Sequence, residues 1–113
     1  MITDCFTTRE IALGPLGQIP TGEGRNFEVQ GRRIAVFHTR TGEVFATQAE
    51  CPHRVGPLAD GLMGGTTLVC PLHAWKFDLR TGQALYGTCD LTTYPVRLSA
   101  AGEILLTLGA ESE

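Results

Sequence analysis

Two short stretches of this sequence decide its fold: CPH at residues 51–53 and CPLH at residues 70–73. Each stretch pairs one cysteine with one histidine, and the two are separated by residues 54–69. Thiolates and imidazoles bind metals, so Cys51, His53, Cys70 and His73 form a candidate ligand set. In an extended segment, residues two apart point to the same side, so Cys51 and His53 can face one metal centre together.

Two kinds of metal centre use two cysteines and two histidines. One is a tetrahedral zinc ion, and the other is a [2Fe–2S] cluster with two thiolates on one iron and two imidazoles on the other. Zinc sites usually pair like with like, as C-x2–4-C and H-x3–5-H. Here each stretch mixes the two residue types, as C-x-H and C-x2-H. The mixed order favours the two-iron cluster over a structural zinc ion.

The residues around these stretches predict an all-β domain. Short apolar and β-branched runs alternate with turns that contain glycine, and no window has a helical period. Gly31 is predicted to form a tight hairpin turn, and the sequence RTG occurs at two further turns, 40–42 and 80–82. Residues 51–65 are predicted to form a functional loop. The predicted strands are 25–30, 33–39, 43–48, 66–69, 75–79, 96–99 and 104–108.

The net charge, the apolar runs and the first residues of the chain indicate which partners and which cellular location to expect. The chain has 113 residues and a net charge of −3, which argues against nucleic acid as a partner. No run approaches the roughly 20 apolar residues that span a bilayer, so no membrane partner is expected. The first residues do not resemble a signal peptide, which predicts a cytoplasmic protein. In a reducing compartment free thiols are expected at Cys5 and Cys89, with a disulfide between them as the less favoured alternative, and their roles are not assigned.

The sequence resembles the Rieske family in three stretches: CPH at 51–53, GPLADG at 56–61 and CPLHAWKFDLRTG at 70–82. The resemblance implies a Rieske-like antiparallel β-sandwich or barrel with a small cluster-binding subdomain of loops. It implies one domain over residues 1–113, with a base formed by 1–47 and 83–113 and a cluster-binding subdomain at about 48–82. It also implies one [2Fe–2S] cluster per chain. Its buried iron would be held by Cys51 and Cys70, and its exposed iron by His53 and His73.

The sequence also differs from the high-potential members of this family. Those members carry an extra disulfide between the ligand loops, and a serine and a tyrosine that donate hydrogen bonds to sulfur. Here Val55 and Leu72 lie near the expected cysteines, and Trp75 and Phe77 replace the hydroxyl residues. Fewer donors to sulfur stabilise the reduced cluster less. The sequence therefore predicts a midpoint potential at the low end of the family range, roughly −150 to 0 mV.

Two branches of the family are similar to this chain. The segment CDLTTYPV at 89–96 and the stretch 61–84 favour the small subunit of NAD(P)H-dependent nitrite reductase, in nitrate assimilation. That resemblance implies a sirohaem- and flavin-containing large subunit as the partner. The alternative is a stand-alone ferredoxin of an aromatic-ring dioxygenase, with a reductase and an oxygenase as partners. In both branches the chain is an electron-transfer component of an oxidoreductase and is not itself the catalyst.

The remaining chemistry-bearing residues predict no second site. His38 lies within a predicted strand, far along the chain from both ligand pairs, and is expected to be a packed or surface histidine. No Ser/His/Asp set and no pair of carboxylates points to catalysis, so no catalytic residue is assigned.

Overall fold

The computed structural model describes residues 8–50, 58–70, 75–86 and 90–109. These residues form antiparallel strands and two short 3-10 helices, Leu16–Gln18 and Leu58–Asp60, so the all-β prediction is confirmed. No helix in these ranges is long and apolar enough to cross a membrane. The strands are β1 Thr8–Pro15, β2 Glu23–Val29, β3 Arg32–His38, β4 Val44–Gln48, β5 Leu62–Gly64, β6 Thr67–Val69, β7 Lys76–Asp78, β8 Ala84–Tyr86, β9 Thr93–Tyr94, β10 Val96–Leu98 and β11 Glu103–Gly109.

The described strands form three antiparallel sheets. The first sheet has the order β1-β11-β10, the second β2-β3-β4-β9 and the third β5-β6-β7-β8. Only Pro95 separates β9 from β10, so the chain passes from the second sheet to the first at this proline. The N–H of Thr107 donates to the Pro95 carbonyl at 2.9 Å and holds this crossing in place.

Strand β3 contributes to two hydrophobic cores. Ile34 and Val36 belong to a core shared with the first sheet, whereas Ala35 and Phe37 belong to a core shared with the third sheet. Successive side chains of a strand point to opposite faces, so a strand covered on both faces is apolar at every position. This explains the uninterrupted run IAVF, whose four residues are all 0% exposed.

The hairpin predicted at Gly31 is confirmed. Strands β2 and β3 pair from Glu23 with His38 to Val29 with Arg32, leaving a two-residue turn. Gln30 and Gly31 have φ angles of 52° and 81°. Positive φ at both central residues defines a type I′ turn, whose twist matches that of the flanking strands, and glycine adopts it without a Cβ penalty.

Other boundaries differ from the predictions. Strands β1, β5, β8 and β9 were not predicted, and the loop predicted over 51–65 is wrong at its end, because β5 begins at Leu62. Strands β5, β8 and β9 have only two or three residues, too short to show an alternating pattern, and they form here because neighbouring strands complete their hydrogen bonds. The proposed division into base and cluster-binding subdomain stays a prediction.

Candidate metal centre

One of the four predicted ligands, Cys70, lies within the described residues. The other three, Cys51, His53 and His73, lie outside them, as do Cys5 and Cys89. Among the described residues, no group of three or more His, Cys, Asp or Glu side chains converges on a second metal site. We call residues 51–57 the first ligand segment and residues 70–74 the second. The described parts of the centre are Cys70 and the backbone on either side of these two segments.

Cys70 directly follows β6 and is 1% exposed. It packs in the core shared by the second and third sheets, beside Leu68 and Phe77. Its backbone N–H donates to the Trp75 carbonyl oxygen at 2.7 Å. This hydrogen bond fixes where residues 71–74, which contain His73, leave the sheet and return to it. The thiol thus lies where the chain leaves β6, and the bond to Trp75 joins the two ends of the connection to β7.

The first ligand segment is closed in a similar way. The N–H of Leu58 donates to the Ala49 carbonyl oxygen at 3.0 Å, which ties together the two sides of residues 50–57. Ala49 is 4% exposed and Leu58 is 0% exposed. The segment with Cys51 and His53 therefore starts and ends in well-packed backbone.

The two ligand segments meet through Leu58 and Cys70, which belong to the same buried cluster. Gly61 makes this approach close. A Cβ at Gly61 would overlap the Val69 carbonyl oxygen and would lie 3.1 Å from the Leu58 carbonyl oxygen. Only a glycine lets the turn after Leu58 pack against the end of β6 without a shift of backbone. The end of the first segment is thereby held against the start of the second.

Gln48 anchors the start of the first segment. Its Nε2 donates to the Glu50 carbonyl oxygen at 2.8 Å, one residue before Cys51. Its Oε1 accepts a hydrogen bond from the Thr92 N–H at 2.8 Å. Arg33 forms an exposed ion pair with the Glu50 carboxylate at 3.1 Å. These residues were not predicted, because Gln48 and Thr92 are 44 positions apart and no local pattern links them.

Trp75 and Phe77 lie directly after the second ligand segment. Phe77 is 0% exposed, and the two ring centroids are 6.3 Å apart with the planes tilted by 49°. This is a favourable aromatic contact geometry. Neither side chain carries a hydroxyl group, and the expectation of fewer donors to the cluster sulfurs stays a prediction.

His38 is a structural histidine, as predicted. It lies in β3, is 9% exposed, and its Nδ1 is 2.6 Å from the Ile19 carbonyl oxygen. Because a carbonyl oxygen only accepts hydrogen bonds, Nδ1 carries the proton and donates it. This hydrogen bond accounts for the buried ring without a metal.

A family model for the Rieske [2Fe–2S] domain matches residues 9–95 of this chain. The chain belongs to the Rieske [2Fe–2S] domain family. The match covers both ligand segments, the whole of the second and third sheets, and β1 except its first residue; β10 and β11 of the first sheet follow it. It selects the two-iron cluster over the zinc alternative.

The relatives of this Rieske chain include proteins from both predicted branches. It is 39% identical over 95 residues to the ferredoxin component of naphthalene 1,2-dioxygenase/salicylate 5-hydroxylase systems from Ralstonia sp., covering 82% of this chain and 90% of the relative. The carbazole 1,9a-dioxygenase ferredoxin from Nocardioides aromaticivorans IC177 has a TM-score of 0.76 and 28% identity, covering 87% and 96% of the two chains.

The nitrite reductase branch is represented among the similar solved structures. A Mycobacterium tuberculosis protein described as an NADH-dependent nitrite reductase small subunit has a TM-score of 0.83, covering 90% of this chain and 96% of that one. Its sequence is only 19% identical, so this likeness concerns the fold alone.

The cofactor of this Rieske domain is a [2Fe–2S] cluster, and the chain is an electron-transfer protein. When bound, the cluster accepts and releases one electron at a time. The residues present fit such a group. Cys70 supplies a buried thiol at the start of the second ligand segment, and it shares one core with Leu58, which follows the first segment.

Proposed function

We propose that this Rieske protein is the ferredoxin component of a ring-hydroxylating dioxygenase system, carrying electrons from a reductase to an oxygenase. The 39% identity to the Ralstonia sp. ferredoxin component, over 90% of that protein's length, is the observation that carries the proposal. The relative is almost fully covered, so the likeness concerns the whole carrier and not one module of a larger enzyme.

The sequence-based preference for a nitrite reductase small subunit is supported less well, because the nitrite reductase relative with a TM-score of 0.83 is only 19% identical. It relied on CDLTTYPV at 89–96 and on the stretch 61–84, and the structure gives the TYPV part of the first segment a role in the fold. Thr93 and Tyr94 form β9, Val96 begins β10, and Tyr94 and Val96 pack against the same core. A segment that moves the chain between two sheets has a role in the fold itself, so its presence does not require a nitrite reductase partner.

The proposal assigns the cluster to Cys51, His53, Cys70 and His73. A Rieske cluster takes two imidazole ligands, and the chain has three histidines. His38 is buried in β3 with its Nδ1 bonded to Ile19, which favours His53 and His73 as the two ligands. Cys70 is already buried at the start of one ligand segment, and Cys51 is its counterpart in the other.

Electron delivery to two purified acceptors tests the function. The chemically reduced protein is mixed with the oxygenase component of the Ralstonia sp. system or with a sirohaem- and flavin-containing nitrite reductase subunit, and its reoxidation is followed by absorbance. We expect rapid reoxidation by the oxygenase with substrate turnover, and slow reoxidation by the nitrite reductase subunit. The opposite preference would reject the ferredoxin proposal. A Cys70→Ser variant, expected to lose the cluster, is the control for direct reduction of the acceptor by residual reductant.

A further inference from the structure

Three large apolar side chains are well exposed in the described part of the chain, and all three lie in the third sheet. Leu62 is 74% exposed, Leu85 54% and Tyr86 64%. Leu62 is in β5 and the other two are in β8, the two edge strands of the sheet that leads into Cys70. Exposed apolar groups gathered on one small sheet are typical of a protein interaction surface.

Two of these side chains belong to one row that crosses the sheet. Leu62 pairs with Val69, Val69 with Lys76, and Lys76 with Tyr86. Directly paired residues point to the same face, so these four form one outer row. The adjacent row, Met63, Leu68, Phe77 and Ala84, packs in or against the core. The irregular register at β8 leaves Leu85 unpaired and places Tyr86 opposite Lys76.

The outer row borders the second ligand segment. Val69 immediately precedes Cys70, and Lys76 immediately follows Trp75. The hydrogen bond from Cys70 to Trp75 joins these two positions at the point where residues 71–74 leave the sheet. A protein that covers the outer row therefore reaches the part of the fold that carries the cluster. Electron transfer between proteins requires this kind of close approach.

Lys76 gives the outer row one positive charge. It is exposed and forms no ion pair with another described residue. Asp78, two residues further along β7, is already paired with Arg80 at 3.5 Å. The row thus offers an apolar surface with a single unpaired cation, in a chain whose net charge is −3. A partner that complements it presents an apolar patch and a carboxylate.

The edges of the sheet do not explain these exposed groups as a site for strand addition. β5 and β8 each have three residues. Edges this short offer few free backbone groups to an incoming strand. A partner is therefore expected to bind the exposed side chains of this sheet and not its strand edges.

We propose that the outer row Leu62, Val69, Lys76 and Tyr86 is the docking surface for the oxygenase that accepts the electron. This inference rests on the proposed ferredoxin function. The apolar side chains supply contact area, with Tyr86 as an aromatic anchor of the kind that dominates binding energy. Lys76 meets a carboxylate of the oxygenase and speeds the encounter of the two proteins.

The test uses holo protein and the purified oxygenase component of the Ralstonia sp. system. The double variant Leu62→Gln/Tyr86→Gln and the variant Lys76→Glu are compared with wild type for the Kd of the complex and for the rate of oxygenase reduction. We expect the double variant to raise the Kd about 10- to 30-fold. We expect Lys76→Glu to lower the second-order rate constant about tenfold at low salt, with a smaller effect at high salt.

Arg25→Glu is the matched control for charge, because Arg25 is exposed on β2 and forms no ion pair with a described residue. It is expected to leave the Kd and the rate constant unchanged. The midpoint potential, visible spectrum and Tm of each variant are measured as well. Unchanged values show that the substitutions act on docking and not on the cluster or the fold.

The outcomes separate the two proposals. If wild-type protein neither binds nor reduces the oxygenase, the ferredoxin function fails and this docking surface fails with it. If wild type reduces the oxygenase and the outer-row variants behave like wild type, the function stands and the docking surface is wrong. If the outer-row variants reduce the oxygenase as fast as wild type but are themselves reduced more slowly by the reductase, the surface belongs to the electron donor. That result also overturns the proposal.

Discussion

Gln48 and Thr92 are joined by a pair of hydrogen bonds that links the end of β4, just before the first ligand segment, to the residue that precedes β9. The Gln48 N–H donates to the Thr92 carbonyl oxygen at 3.0 Å, and the Thr92 N–H donates to Gln48 Oε1 at 2.8 Å. The other end of the same side-chain amide donates to the Glu50 carbonyl oxygen at 2.8 Å. One glutamine therefore bonds its donor to the backbone of Glu50, the residue before Cys51, and its acceptor to the backbone of Thr92.

Removing this amide is expected to loosen the first ligand segment. A Gln48→Ala variant loses two hydrogen bonds to backbone, and we expect a cost of about 1–2 kcal/mol in the free energy of unfolding. We also expect faster loss of the cluster absorbance on heating. The control is Gln83→Ala, an exposed glutamine whose side chain makes no hydrogen bond with the described residues. Equal rates of cluster loss in the two variants would show that Gln48 does not support the site.

Gly61 and Gly64 provide a matched pair for the contact between the two ligand segments. A Cβ at Gly61 would overlap the Val69 carbonyl oxygen, whereas a Cβ at Gly64 meets nothing within 4 Å. Gly61→Ala must shift backbone next to Cys70, with an expected cost of about 1–3 kcal/mol and a lower iron content. Gly64→Ala is expected to change stability by less than about 0.5 kcal/mol. Urea unfolding and iron analysis measure both effects, and equal stability of the two variants would contradict the close packing.

Glu10 and Arg97 form an ion pair across β11, with Arg97 Nε 2.6 Å and Nη2 2.8 Å from the carboxylate oxygens. The hydrogen bonds from Arg97, aided by its charge, lower the pKa of Glu10 below its ordinary value of 4.5. A lowered folded-state pKa stabilises the protein above the ordinary pKa, and this stabilisation is lost as the pH falls through the lowered value. The contribution is small because both side chains are exposed.

The Glu10→Gln variant should therefore show a Tm deficit at neutral pH that disappears in acid. The deficit should also shrink at high salt, which screens an exposed pair. Glu103→Gln is the control, since Glu103 is exposed and forms no ion pair with a described residue. Thermal unfolding as a function of pH measures the effect. A deficit that persists in acid would mean that the ion pair is not its cause.

The midpoint potential tests the account of the residues after the second ligand segment. Trp75 and Phe77 carry no hydroxyl group, and Phe77 is fully buried. With fewer hydrogen bonds to sulfur, the reduced cluster is stabilised less, and we expect a potential of roughly −150 to 0 mV. A redox titration followed by visible absorbance measures it. A value above about +150 mV, still within the family range, would contradict the argument.

The sequence predicts the parts of this fold that depend on local patterns. The IAVF run of β3 and the type I′ turn at Gly31 are visible because burial and backbone conformation act on adjacent residues. The CPH and CPLH stretches identify the family because each places two ligands within four residues. Strand β5 was not predicted, because it has three residues and its pairing with β6 determines it.

The supports of the site could not be predicted for a related reason. The contact of Gly61 with Val69 and the bond of Gln48 to Thr92 join residues that are distant along the chain. They depend on how the second and third sheets pack against each other. Periodic patterns in the sequence do not predict that packing. The outer row likewise exists only once the register of four strands is known.

The ligand set itself is tested most directly by pulsed EPR on the reduced protein, which counts the imidazole nitrogens bound to the cluster. We expect two histidine ligands in wild type, and two in a His38→Asn variant that retains the cluster. With three histidines in the chain, that result leaves His53 and His73 as the ligands. Loss of one nitrogen signal in His38→Asn, or a cluster without nitrogen ligands in wild type, would contradict it.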